Sequence, residues 1–280
     1  MRIEIDHVAV ITDTPEQHLK ALQAATGLPE LWPFTTSEAI QSGALWEGST
    51  GIEFTRLEGA QNQPPRIGGI AFKAHSGPWE MAQALRALGL PHIPPTTTGP
   101  FGEATFFWTT VMVGGLLDNE ARTIWLGKRF GGAGWFARWM SGMGERLSRT
   151  PKGQIQLNSV LRDHMTFFVD YHDTTRVAEQ TGLARDAFHA IFGEGSLSRP
   201  VLAMEQDFEG LKAENWSRLL GQTIAPNGTY SAGAVDLQFV ESARNRILSM
   251  ELGVPVNKDK LPEELAKLFS GPVCPETHIA

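Results

Sequence analysis

The sequence predicts an α+β protein assembled from a repeated strand–helix–strand–strand unit, and three observations predict it. Short segments of alternating apolar and polar residues recur in a regular order, with amphipathic stretches between them. The run Gly51-Ile52-Glu53-Phe54, a short loop and then RIGGIAF returns as Ala234-Val235-Asp236-Leu237, a short loop and RILSMEL, with a carboxylate at the same place both times. The 29 glycines and 17 prolines favour turns and short strands over long helices.

Residues 3–11 alternate, with Ile3, Ile5, His7, Ala9 and Ile11 on one face, and predict the first strand. Asp13, Thr14 and Pro15 supply a cap and a favoured first helical position. Residues 16–25 carry helical spacing through Leu19, Leu22 and Ala25, and Gly27 ends the helix. Strands over 39–47 and 51–58 follow, joined by the turn Gly48-Ser49-Thr50. The pattern then restarts with a strand over 66–74, a helix over 79–88, and a strand over 104–113. Residues 165–171 complete this second unit. The proline-rich stretch 91–100 is excluded from central sheet because proline lacks the ladder donor.

A third copy runs through a strand at 200–207, a helix at 208–220, and strands at 228–231 and 234–240. Residues 246–253 match 66–73 in character and open a fourth copy that stops after one helix, 262–269. This predicts a first domain over 1–175, interrupted by an insertion at 118–163, and an abbreviated second domain over 197–280. Within the insertion, Trp135, Phe136, Trp139, Met140, Met143 and Leu147 share one helical face. That face packs on the sheet or a partner subunit, covers a pocket as a lid, or lies on a membrane surface, and Gly142 and Gly144 weaken each reading.

Composition bounds the function. Of 280 residues, 41% are hydrophobic and 20% charged, which excludes wholesale disorder and fibrous classes. A net charge of −7 gives no general reason to bind nucleic acid. With the single cysteine Cys274, an intrachain disulfide and a four-cysteine zinc site are both excluded. The opening MRIEIDHVAVITD is charged and alternating, unlike a signal peptide, and no run of 18 apolar residues predicts a membrane span, so a cytoplasmic location is expected. No GxSxG, phosphate-loop or dinucleotide pattern is present in a strand–turn–helix context.

The repeats, the first opening with Asp6-His7-Val8-Ala9-Val10 and closing with Gly51-Ile52-Glu53-Phe54-Thr55, resemble the vicinal oxygen chelate superfamily of glyoxalase I, extradiol dioxygenases and bleomycin-resistance proteins. The resemblance covers 1–116 and 165–254. It implies paired βαβββ units forming curved mixed sheets around a pocket. In metal-binding members it implies one divalent ion, ligated from the first and closing strands of each unit.

Carried over by position, it places His7, Glu53 and Asp170 in the metal shell, with an Fe, Mn, Ni or Zn ion as the expected cofactor. The fourth position falls on Ile67, Gly68 or Gly69, none of which offers a donor. His172, two residues beyond Asp170 on the same strand face, is the substitute. His164 lies six residues from Asp170, too far along an extended strand to share the ion. The ion would act as a Lewis acid, and Glu53 or Asp170 would move the proton.

Trp46, Trp108 and Phe168 are the expected pocket wall for a small oxygenated organic molecule, in a protein expected to form a homodimer. The residues leave other readings open. His7 equally fits a hydrogen-bonded strand residue, and Asp170 and His172 a solvated rim. The leading function is a metal-dependent enzyme of lyase, isomerase or dioxygenase type. Its alternatives are a metal-free small-molecule-binding protein and an interaction protein that uses the 135–147 helix.

Overall fold

A computed structural model of the chain describes residues 2–37, 40–57, 64–98, 107–118, 120–131, 134–150, 152–153, 155, 165–194, 196 and 198–272. Cys274, His164, Phe101 and Phe106 lie outside the described residues.

The first unit runs β1 (Ile5–Ile11), α1 (Pro15–Thr26), β2 (Glu30–Thr36), β3 (Ile40–Trp46) and β4 (Gly51–Leu57). The second runs β5 (Arg66–Lys73), α2 (Pro78–Ala87), β6 (Thr96–Thr98), β7 (Trp108–Met112) and β8 (Met165–Tyr171). Together they form one eight-stranded mixed sheet in the order β2-β3-β4-β1-β5-β8-β7-β6. In each unit the first strand pairs parallel with the last, β1 with β4 and β5 with β8, and the units join through antiparallel β1 and β5. The order is therefore a two-fold repeat about the β1–β5 seam.

Two strands were not legible in the sequence. β2 carries Pro33 and has no clean alternation, and it forms an edge of the sheet, where a missing donor is tolerated. β6 is three residues at the other edge, within the proline-rich stretch 91–100. The strand expected over 104–113 is seen as Trp108–Met112, with 104–106 outside the described residues.

Between β7 and β8 lie two helices, α3 (Ala121–Phe130) and α4 (Trp135–Ser148). α4 rests on β6, where Ser148 Oγ donates to the Thr97 carbonyl at 2.8 Å. A Cβ on Gly144 would meet the Thr96 side chain at 2.9 Å, so this glycine permits the close approach that its low helix propensity opposes. A long helix, α5 (Thr174–Phe192), follows β8, capped by Asp173, whose side chain accepts from the Arg176 backbone N–H at 3.0 Å.

The remaining segment builds a five-stranded sheet, β10-β11-β9-β12-β13. Its strands are β9 (Val201–Gln206), β10 (Thr229–Ala232), β11 (Val235–Glu241), β12 (Arg246–Glu251) and β13 (Phe269–Ser270), with α6 (Leu211–Leu220) and the short α7 (Glu263–Ala266) between them. β9 pairs parallel with β11 and antiparallel with β12, and β12 pairs parallel with β13, repeating the pattern of the first sheet. The helix expected over 262–269 thus splits into one turn of helix and a two-residue strand.

One hydrophobic core spans both sheets. Phe72 packs against the tilted Phe168 ring at 5.3 Å and edge-on against Trp216 of α6 at 6.5 Å between ring centroids. Trp216 Nε1 donates to the Leu116 carbonyl at 3.1 Å, so its polar atom is satisfied inside that core. Glu47, fully buried, accepts from Ser198 Oγ and from the Gly253 backbone N–H at 2.9 Å, tying the end of β3 to the second sheet.

Burial pushes the Glu47 carboxyl up from 4.5 to about 7, against those two hydrogen bonds. An acid raised on folding adds stability below its unfolded pKa and loses that contribution as pH rises through the folded value. Stability should therefore decline from about pH 4.5 to above 7 through this group. Glu47→Gln keeps the acceptor oxygen without the charge. At pH 8 it should unfold at a higher temperature than the parent protein, by an amount on the order of 1–3 kcal/mol, and at pH 4.5 no higher. Calorimetry at the two pH values measures this.

Candidate functional site

Alternation along the first sheet sends one set of side chains into the core and the other toward a cavity of about 640 Å³. On β1 the residues facing the core are Val8 and Val10, and His7 lines the cavity. On β4, Ile52 and Phe54 join the core while Glu53, Thr55 and Leu57 line the cavity. On β8, Met165, Phe167, Val169 and Tyr171 line it. Met140, Met143 and Leu147 of α4 and Leu126 and Phe130 of α3 form a further wall. Val177, Gln180 and Thr181 of α5 also contribute. The cavity is predominantly apolar.

Its polar centre is a buried chain of groups around His7. Nδ1 of His7 lies 2.8 Å from Asp6 Oδ1, and Nε2 lies 3.3 Å from Glu53 Oε2. Tyr171 OH donates to Asp6 Oδ1 at 2.9 Å, and Ser42 Oγ donates to Glu53 Oε1 at 2.5 Å. The His7 ring packs edge-on against Trp32 and Phe167, with centroids at 5.6 and 5.8 Å.

Burial alone would lower the His7 pKa, but the hydrogen bonds and charges of Asp6 and Glu53 outweigh it and raise the value from 6.5 to about 9. Burial likewise opposes ionisation of Asp6 and Glu53, yet contact with His7 holds both carboxyls below their ordinary range. Burial and the neighbouring Asp6 push the Tyr171 phenol well above 10. At neutral pH the site is thus an imidazolium donating to two carboxylates, with a neutral tyrosine completing the hydrogen bonds.

The structure brings His7 and Glu53 together, but not Asp170 or His172 with them. Residues of even number on β8 face away from the cavity, because side chains alternate and the cavity takes 165, 167, 169 and 171. His172, on the same far side, lies with Nε2 2.8 Å from Thr109 Oγ1 and stacks with Phe107 at 6.4 Å. Phe168 is also corrected: it is fully buried in the core beside Phe72 rather than in the pocket wall. Trp46 and Trp108 do line the cavity. In the second sheet Asp236 is held by Arg199 at 2.6 Å and by Ser231 at 2.9 Å. His18 is buried and lies 2.7 Å from Thr12 Oγ1, away from the cavity.

The strand registers explain the mismatch. His7 pairs with Gly51 on β4, two residues before Glu53. The equivalent pairing in the second unit joins Gly69 to Met165, two residues before Phe167. The counterparts of His7 and Glu53 are therefore Gly69 and Phe167, neither of which is a ligand. A Cβ on Gly69 would meet the Met165 carbonyl oxygen at 2.6 Å, so the position is closed to a longer side chain.

Two donors face one another where a metal centre of this architecture draws on both units, and among the described residues no three His, Cys, Asp or Glu side chains are placed to hold an ion. The residues present do not fit the divalent metal the resemblance implied. Asp6, Ser42 and Tyr171 escaped sequence reading. The dipeptide Asp6-His7 was a visible signal for the first, whereas Ser42 and Tyr171 reach the site only through sheet pairing.

His7 should titrate near pH 9 by nuclear magnetic resonance of its ring protons, and Glu53→Gln should lower that midpoint by about one unit or more. Because the His7 pKa is raised on folding, the stability it contributes is complete below pH 6.5 and fades as pH passes 9. The depressed Asp6 and Glu53 lose theirs as pH falls below their ordinary values. An unaltered His7 titration in Glu53→Gln would show that the pair is not coupled.

No protein-family model matches the chain, and no curated protein matches it. Solved structures are similar in fold. A hypothetical protein from Staphylococcus aureus aligns over 90% of this chain and 92% of its own, with 8% identity and a TM-score of 0.55. A variant of Streptomyces coelicolor 4-hydroxymandelate synthase aligns over 92% of this chain and 73% of its own, with 10% identity and a TM-score of 0.45. Streptomyces coelicolor methylmalonyl-CoA epimerase aligns over 60% of this chain and 97% of its own, with 10% identity and a TM-score of 0.33. The likeness is one of fold: paired βαβββ units ordered about the β1–β5 seam, in a curved mixed sheet that closes on a cavity.

Proposed function

We propose that the chain is a metal-free small-molecule-binding protein whose ligand is a largely apolar organic molecule with one hydrogen-bond-accepting oxygen. The observation that carries this reading is the cavity itself: about 640 Å³, walled by Trp32, Trp46, Trp108, Phe167 and the methionines of α4, with the buried Asp6–His7–Glu53 group in its wall and Glu4, Lys73 and Arg176 also lining it. Such a volume is ample for a drug-sized ligand, and removal of apolar surface from water supplies the affinity.

Polar atoms set the ligand's orientation. Trp46 and Ser49 line the cavity, and Trp46 Nε1 and Ser49 Oγ are buried without a hydrogen-bond partner. A buried donor left unsatisfied costs about 1–3 kcal/mol, and an oxygen on the ligand would relieve that cost. The His7 imidazolium has both N–H groups engaged by carboxylates, so it is held at the cavity wall by them rather than offering an open ligand position. The position opposite it is filled by Phe167, which favours packing over coordination.

The test compares an aromatic ketone with the hydrocarbon of the same shape by isothermal titration calorimetry. The ketone should bind about tenfold more tightly to the parent protein, and Trp46→Phe should abolish that preference while leaving hydrocarbon affinity near its parent value. In parallel, titration with Fe(II), Mn(II), Ni(II) and Zn(II) should give no stoichiometric binding. An ion bound one-to-one and lost in His7→Ala would overturn the reading and restore a metal-dependent enzyme.

A further inference from the structure

The α3–α4 hairpin has two apolar faces, and only one is used by the fold. Leu126, Phe130, Met140, Met143 and Leu147 turn toward the cavity. On the other side Trp125, Trp135 and Trp139 are 58%, 79% and 53% exposed, and Phe136 is 38% exposed. These rings form a continuous cluster. Phe136 stacks on Trp139 with centroids at 5.6 Å, meets Trp135 at 5.6 Å, and reaches Phe130 at 5.5 Å, which in turn meets Trp125 at 6.0 Å. A water-exposed patch of three tryptophans and a phenylalanine is outside what a monomeric surface ordinarily leaves uncovered.

Charge selects the partner. Residues 121–149 carry six cations, Arg122, Lys128, Arg129, Arg138, Arg146 and Arg149, against the single acid Glu145, on a chain whose net charge is −7. All six are exposed. Arg129 sits over the Trp125 and Phe130 rings, at 5.7 and 5.8 Å from their centroids, so positive charge and aromatic surface are presented together. Arg138 lies 4.7 Å over the Trp79 ring of α2, which pins the hairpin to the sheet layer and turns the tryptophans outward.

We propose that this face docks on an anionic lipid bilayer. Indole rings settle at the headgroup level, and arginines around them contact lipid phosphates. A symmetric dimer through the same face would set one copy's cations against the other's, which disfavours a second copy as the occupant. The hairpin lies on the membrane rather than through it, since among the described residues no helix is long and apolar enough to cross one. This inference stands independently of what the cavity binds.

Flotation of the full chain with phosphatidylcholine vesicles, with and without phosphatidylglycerol, tests it. Binding should require the anionic lipid and weaken as salt rises. The double variant Trp135→Ser, Trp139→Ser should reduce binding at least about tenfold, with an unchanged melting temperature and unchanged ligand binding in the cavity, because neither residue lines it. Lys128→Glu with Arg129→Glu should do the same by charge and keeps the test intact if the tryptophan variant misfolds. Absence of binding to either vesicle, equal binding to neutral vesicles, or a dimer in sedimentation that the tryptophan variant dissolves would each overturn the proposal.

Discussion

Side-chain alternation along one curved sheet is the constraint on which the rest of this molecule depends. The first sheet turns one face to a core shared with helices and the second sheet and the other toward a cavity, so neighbouring residues have opposite fates. Val8 and Val10 enter a core that continues into the second sheet, whereas His7 between them and the strand start enters the cavity. The same rule sends Phe168 to the core and Phe167 to the His7 ring. A shift of one residue on β8 would have delivered Asp170 to His7 instead, and the chemistry of the site with it.

The His7 cluster is an economical solution to burying charge. One cation lies between two anions; Ser42 donates to the second oxygen of Glu53, and Tyr171 donates to the same Asp6 oxygen that His7 contacts. Removing His7 would leave two buried carboxylates facing one another without a cation, which is the costly case. The pairing joins β1, β3, β4 and β8, so the site also holds the two units of the sheet in register across the seam. A cavity with apolar walls and one charge-compensated corner suits recognition by shape, with polar atoms fixing orientation.

The insertion between β7 and β8 gives the fold its individual character. Its helices close the cavity with one set of apolar side chains and present tryptophans outward with another. Gly144 explains how a sequence with poor helical propensity still packs there. The glycine lets α4 approach Thr96, and tertiary contact outweighs the local preference.

The sequence by itself determined the repeat, most strand and helix positions, and the absence of an intrachain disulfide, while His7 and Glu53 became candidates through the family resemblance. Those properties are local: they follow from period, from capping and turn residues, and from composition. β2 was hidden because Pro33 interrupts its alternation and β6 because three threonines have none to show, and edge position tolerates both. Only the tertiary structure decided which residues of β8 face His7, that Gly69 and Phe167 occupy the second unit's ligand positions, and that Ser42 and Tyr171 complete the site. Register between strands distant in sequence sets those facts, and a shift of a single residue in pairing, invisible in any one segment, exchanges the two faces of a strand.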